Sequence, residues 1–310
     1  FKVISNNKDL TLNPTLFDGN TSMLTTEYRA INKKNRILAD VGYVNGYKST
    51  TTNKKSNLSH YFLDIDHDLK LEDFNSSDLK LSLKRVSNDT YLKVFDQHIT
   101  KSSLRPENFD NLNSSLKLFL NHEDFTFETG IQSFEDLQIE NKSDRYQYNL
   151  PYYNYDRFVE QNYFDGTINF NSNGNNYLSE TNKLETNIIN NFIYNSTDYI
   201  SDFGLKNNFS LSLKNLNSIG KKTSQYKSNP QMEIASLFNV DFIMPLEKKS
   251  NNSNNILIPK ISFRFNPSDM KNYSSSENKI DADNVFALNR LGLSDTLEAG
   301  KSITLGLDYS

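Results

Sequence analysis

From Asp9 to Ile31, apolar and polar residues alternate on either side of an Asp18-Gly19-Asn20 turn. Leu10, Leu12 and Leu16 share one parity, and Thr11, Asn13 and Thr15 share the other. A period of two is the signature of a strand with one apolar face, and Asp-Gly-Asn is a hairpin joint, so the stretch predicts a β-hairpin. Pro14 interrupts its first strand. A proline has no amide proton to give to a ladder, which places that strand at an edge or in a loose pairing.

The same period recurs downstream. In His60–Leu69, Leu63, Ile65 and Leu69 oppose Asp64, Asp66 and Asp68; in Asp78–Val86, Leu79, Leu81 and Leu83 oppose Lys80, Ser82 and Lys84. Further strands are predicted over Arg36–Tyr47, Leu112–Asn121, Phe125–Phe134, Arg145–Tyr153, Tyr163–Phe170, Lys183–Tyr194, Phe203–Leu216, Met232–Met244, Ile256–Phe265 and Ser302–Tyr309. With the hairpin this makes about 14 strands, most near the ~10 residues that cross a bilayer when tilted. Thr50–Asn57 reads as a polar loop. Two longer segments break the alternation. Asn88–Asp110 contains a helix-like TYLKVF, and Asn266–Gly300 contains a helix-like piece, Asp283–Leu291, with Val285, Phe286, Leu288 and Leu291 as its apolar stripe. No linker divides the chain, so residues 1–310 are expected to be one domain. Phe1 in place of Met suggests a fragment.

Composition sharpens the fold class. Hydrophobic residues make up only 36% of 310, too few for an ordinary core of this length, yet there are 21 Phe and 17 Tyr, which a disordered chain would lack. An antiparallel transmembrane β-barrel reconciles the two, because half of each strand's side chains face a wet interior. Composition bias of the genome is an alternative source for the Asn and Lys richness. No apolar run approaches the ~20 residues of a membrane-spanning helix. The absence of Cys removes disulfides and thiolate metal sites, and a net charge of −4 argues against a nucleic-acid partner.

Candidate chemistry is sparse. Asp64, Asp66 and Asp68 beside His67 resemble a metal cluster, but Leu69 stands where a calcium loop needs its glycine, and on a strand His67 points away from the aspartates. The expected role is a polar inner wall, with Asp64 opposite Lys84, Asp66 opposite Ser82 and Asp68 opposite Lys80 if the chain turns at Glu72–Asn75. His60, His98 and His122 stand isolated in the sequence. No hydrolase, zinc-protease, P-loop or dinucleotide motif is present, so neither an enzyme nor a cofactor is expected.

Three stretches carry a family resemblance. DLTLNPTLF with EYRAINKKNRILADVGY is similar to the opening of the barrel domain of the LptD family, the lipopolysaccharide (LPS) assembly proteins of the outer membrane. FLDIDHDLKLEDFNSSDLKLSLKRVSNDTYLKVFD resembles that family's strand-turn-strand, ending in Val86-Ser87-Asn88-Asp89-Thr90-Tyr91 and Phe95-Asp96. In the final stretch, Asn284, Phe286, Leu288, Asn289, Arg290, Asp295, Glu298 and Gly300 match a family motif that precedes a strand. One departure is Asn6, near where relatives often carry a further proline.

The resemblance implies part of a barrel of about 26 strands, without its periplasmic N-terminal domain and closing strands, in the outer membrane of a Gram-negative bacterium. It implies an LPS translocon, with sugars passing through a polar lumen and lipid leaving through a lateral gate between first and last strands. Pro14 is then the gate candidate, and Asp64, Asp66, Asp68, Lys80 and Lys84 face the lumen. Implied partners are LPS, a lipoprotein that plugs the lumen, and periplasmic LPS-transport bridge proteins. A porin-like channel and a β-rich surface binding protein are the alternative readings of the same strand pattern.

Overall fold

The computed structural model describes residues 1–17, 20–49, 54–99, 102–161, 165–250, 253–273 and 279–310. Seventeen strands are joined in an antiparallel sheet, and two four-residue helices are the whole of the helical content among the described residues. None of these helices is long and apolar enough to cross a membrane, which says nothing of strands. Contacts divide the chain into two compact units: 1–153 with 175–184, and 154–174 with 185–310.

The first unit opens with β1 (Lys2–Ser5), β2 (Lys8–Leu16), β3 (Ser22–Ile31), β4 (Asn35–Lys48), β5 (Lys55–Asp68) and β6 (Ser76–Val86). After α1 (Tyr91–Val94) come β7 (Asn111–Asn121), β8 (Phe125–Asp136) and α2 (Lys142–Arg145). Strands β9 (Tyr146–Gln161), β10 (Gly166–Ser179) and β11 (Lys183–Ser196) follow. The second unit continues with β12 (Tyr199–Ile200), β13 (Lys206–Lys221), β14 (Gln231–Ile243), β15 (Leu246–Ser250), β16 (Ser253–Asn266) and β17 (Gly300–Tyr309). The strands missed by sequence periodicity are β1, β12 and β15, of four, two and five residues, too short to display a period.

Alternation translates into two faces. Register sets Ile65, Leu81, Leu116 and Ile131 side by side across β5 to β8. In the second unit Phe209, Val240, Phe263 and Ile303 form a comparable row across β13, β14, β16 and β17. These rows lie on an apolar face that is strongly exposed: Met232 is 69% accessible, Leu305 73% and Tyr309 71%. Apolar surface on this scale is unstable in water and calls for an apolar surrounding. Leu79, Leu81 and Leu83 take that face, and Lys80, Ser82 and Lys84 the other, as their alternation predicts.

The opposite, inner face carries the buried residues of each unit. In the first, residues 87–99 and 102–110 fold back onto it, and Tyr91, Leu92, Phe95, Ile99 and Leu104 join Met23, Val44, Leu58, Phe62, Val86 and Leu112 in one core. In the second, residues 267–273 and 279–299 lie over Leu216, Ala235 and Leu237 through Met270, Tyr273, Leu288 and Leu297.

Three expectations need correction. Lys55–Asn57, assigned to a loop, begin β5, while residues 50–53 lie outside the described residues, as do Asp18 and Gly19 of the first turn and Tyr163. Asp283–Leu291 is a series of turns, not a helix. Its short polar side chains compete for the backbone: Asp281 N–H donates to Asn284 Oδ1, and Leu293 N–H to Asn289 Oδ1, at 3.0 Å each. The third is the pairing of β5 with β6, which is shifted by two residues from the expected register.

Candidate functional site

Strand β2 is covered unequally on its two sides. Against β3 its register is complete, from Lys8 opposite Ala30 to Leu16 opposite Ser22, with Pro14 opposite Leu24. Against β1 it is paired only at Lys8, Asp9 and Leu10. Just beyond the two ends of the β2–β3 ladder, Ile31 N–H donates to Asn7 O and Phe17 N–H to Thr21 O, each at 2.9 Å. Hydrogen-bonded pairs alternate along an antiparallel ladder, so the odd residues of β2 bond to β3 and the even ones turn their backbone away. Leu12, Pro14 and Leu16 therefore present their backbone groups on the side that β1 does not reach. The amide proton that proline lacks is missing from that side, at no cost to the β2–β3 ladder. Leu12 and Leu16 are 50% and 86% exposed.

The five polar candidates on β5 and β6 share the inner face, because their register pairs even residues with even. Their partners differ from expectation by two positions. Asp64 lies opposite Ser82 and accepts its hydroxyl at 2.7 Å, Asp66 lies opposite Lys80, and Asp68 faces Asp78. The cause is the turn. Asn75 N–H already donates to Asn121 O at 2.8 Å, and Phe74 packs edge-on against His122 and Phe125, so the chain must reverse earlier, around Asp73. Lys84 lies opposite Phe62, and Asp66 is ion-paired with Arg36 at 3.6 Å. The column is one of scattered pairs. No group of three His, Asp or Glu among the described residues could hold a metal ion.

His60, isolated in the sequence, is anything but isolated in space. Asp40, His60 and Tyr91 have no solvent exposure. His60 Nε2 lies 3.1 Å from Asp40 Oδ1, and its Nδ1 lies 2.9 Å from Tyr91 Oη. A carboxylate can only accept, so Nε2 carries its proton toward Asp40, while the Tyr91 hydroxyl closes the other side of the ring. The ring also stacks on Phe62 at 4.6 Å. Gly42 makes the room: a Cβ there would stand 2.4 Å from His60 Cε1 and 2.8 Å from Tyr91 Oη. Burial, with the charge of Asp40 adding to it, pushes the Tyr91 phenol above its usual range. Residues 40, 42, 60 and 91 carry no spacing signal, since register and the fold-back of 87–110 bring them together.

The second unit ties its long connection down with polar groups of the sheet. Lys214 Nζ donates to Ser294 O at 2.7 Å, and the Arg264 guanidinium to Ala287 O and Leu288 O, both at 2.7 Å. Asn266 Nδ2 donates to Glu298 O at 2.9 Å. Within the connection, Arg290 pairs with Glu298, Nε to Oε2 at 2.6 Å, which raises the guanidinium's pKa further. Burial and a hydrogen bond to Glu233 push the Tyr273 phenol up to about 12. Lys214, Arg264 and Asn266 were invisible as candidates. The only hint was that Arg290, Asp295 and Glu298 stood inside a recognisable stretch.

An exposed apolar face, a polar inner face and long alternating strands are what a piece of an outer-membrane barrel requires. The family model described as LptD, LPS transport system D, matches residues 58–310. This chain belongs to the LptD family. It is thereby a component of LPS transport to the outer membrane, in a family of transport proteins and not of enzymes. Comparison with curated proteins gives no match. The LptD match begins within β5 and takes in β6 and both inward connections, with β1 to β4 lying before it.

Proposed function

We propose that the chain forms the opening part of a barrel domain through which LPS leaves sideways, with the uncovered side of β2 as one wall of a lateral gate. The sugar part of LPS and its acyl chains cannot share one solvent. A polar inner face suits the first, an apolar exterior suits the second, and the seam between first and last strands lets them part. In this reading Asp64, Asp66, Asp68, Lys80 and Lys84 line the aqueous side. A plugging lipoprotein and periplasmic bridge proteins complete the machine in the outer membrane of a Gram-negative cell.

The observation that carries the reading is the placement of Pro14: its missing donor falls on the side of β2 left open by β1, among residues that otherwise form good strand. A lost backbone hydrogen bond is worth about 1 kcal/mol net in water and more in lipid, where water cannot substitute. A diffusion porin has no need of such a weak place. Pro14→Ala, made in the full-length protein, restores the donor. Surface LPS in cells that depend on the variant should fall severalfold while heat-modifiable mobility shows a folded barrel. Normal surface LPS with normal folding would return Pro14 to the status of an ordinary edge proline.

A further inference from the structure

The connection 87–110 touches more than the strands it links. It begins at Ser87, where β6 ends, yet its aromatic residues reach back to the far end of β2. Phe17, the residue after β2, packs edge-on against Phe95 at 6.0 Å and against His98 at 4.7 Å between ring centres. Met23, near the start of β3, is 2% exposed within the same core. In its first turn the connection is pinned to the wall by Tyr91 on His60, over Gly42. At its start it is held from the other direction: Asp89 pairs with Arg145 at 2.7 Å, and Arg145 pairs with Glu135 of β8 at 2.6 Å. The connection thus runs as a strap across the inner face, from the end of β2, past β4 and β5, to α2 and β8.

We infer that residues 87–99 brace the open-sided strand β2, with Phe17 as the positioning residue through which the brace acts. The inference rests on the gate reading of β2. A strand paired fully on one side and partly on the other is free to swing about its ladder with β3. The rings at Phe17 oppose that swing, because parting them exposes apolar surface that the core now covers. Displacement of β2 for lipid exit therefore requires Phe17 to slide off Phe95 and His98, or the strap to move with it. The rest of the strap has no such freedom, since His60, Asp40 and Tyr91 are fully buried and Arg145 is doubly paired.

The test uses cross-linking, since this chain contains no cysteine and introduced pairs are unambiguous within it. In the full-length protein, Phe17→Cys with His98→Cys is bridged in cells by a short reducible bifunctional thiol reagent. Lys93→Cys with Asp110→Cys, a pair joined inside the strap, is the control. Bridging 17 to 98 should cut the appearance of new surface LPS at least tenfold, and reduction should restore it. Bridging 93 to 110 should leave it unchanged, and both proteins should keep heat-modifiable mobility. Undiminished LPS export with the 17–98 bridge complete would overturn the brace. If Pro14→Ala still slows export in that case, the gate reading survives and only the brace has failed. If Pro14→Ala also exports normally, both have failed.

Discussion

The two inward connections are held to their own units by different chemistry. Residues 87–110 bring apolar side chains of their own, and Tyr91, Leu92 and Leu104 are almost wholly buried. Residues 267–299 add carbonyl groups to a smaller set of apolar contacts, and the sheet supplies the donors: Lys214, Arg264 and Asn266. The contrast begins in composition. Tyr-Leu-Lys-Val-Phe can shed water along a whole face, whereas Asp-Asn-Val-Phe-Ala-Leu-Asn-Arg cannot and must be wired to charges already on the wall. An apolar strap should fail as a unit once a void opens in it, while a polar one should loosen bond by bond.

Leu92→Ala is the sharpest probe of that difference. It removes a fully buried side chain and should cost about 2–5 kcal/mol, seen as a lower urea midpoint and rapid protease cleavage within 87–110. Cleavage within 267–299 should not change; an equal rise at both would dissolve the distinction. Arg264→Met comes next. It deletes two hydrogen bonds from a charged donor, each worth about 1.5–3 kcal/mol, but spares an unpaired buried charge. Cleavage should rise around residues 287–288 alone, and a cooperative loss of the whole connection would contradict bond-by-bond attachment. Asp66→Asn should do least. Its ion pair with Arg36 spans 3.6 Å between half-exposed partners, so stability should move by no more than about 0.5 kcal/mol. Tight calcium or zinc binding lost in that variant would restore the metal reading of the aspartates.

Strand identity was legible wherever a run exceeded about eight residues, because period-two alternation needs that length to separate from chance. Faces were legible for the same reason: Leu81 and Ser82 fall on opposite sides as their parity demands. Pairing was not. The β5–β6 turn is set by Phe74 and Asn75 engaging β7 and the residues around it, partners distant in sequence, so the aspartates share one face as their parity demands but stand beside other neighbours than expected. The buried His60 network was hidden for a related reason. Its members sit on three elements, and the decisive residue, Gly42, contributes only an absence. The apolar stripe over Asp283–Leu291 misled because side chains hold the flanking backbone in turns, Asp281 N–H by Asn284 and Leu293 N–H by Asn289.

One consequence of the uneven covering of β2 concerns the protein before it reaches a membrane. An open strand edge is a template on which any extended segment can add, including the same segment of a second copy, and such addition seeds aggregates. Along the side left open, Leu12 and Leu16 offer a donor and an acceptor each, but between them Pro14 offers only a carbonyl. A passing strand that tried to zip along this side would meet a gap at its centre and a ring projecting into its path. A proline at such a position makes the edge a poor seed at the stage when apolar strands are most exposed to one another.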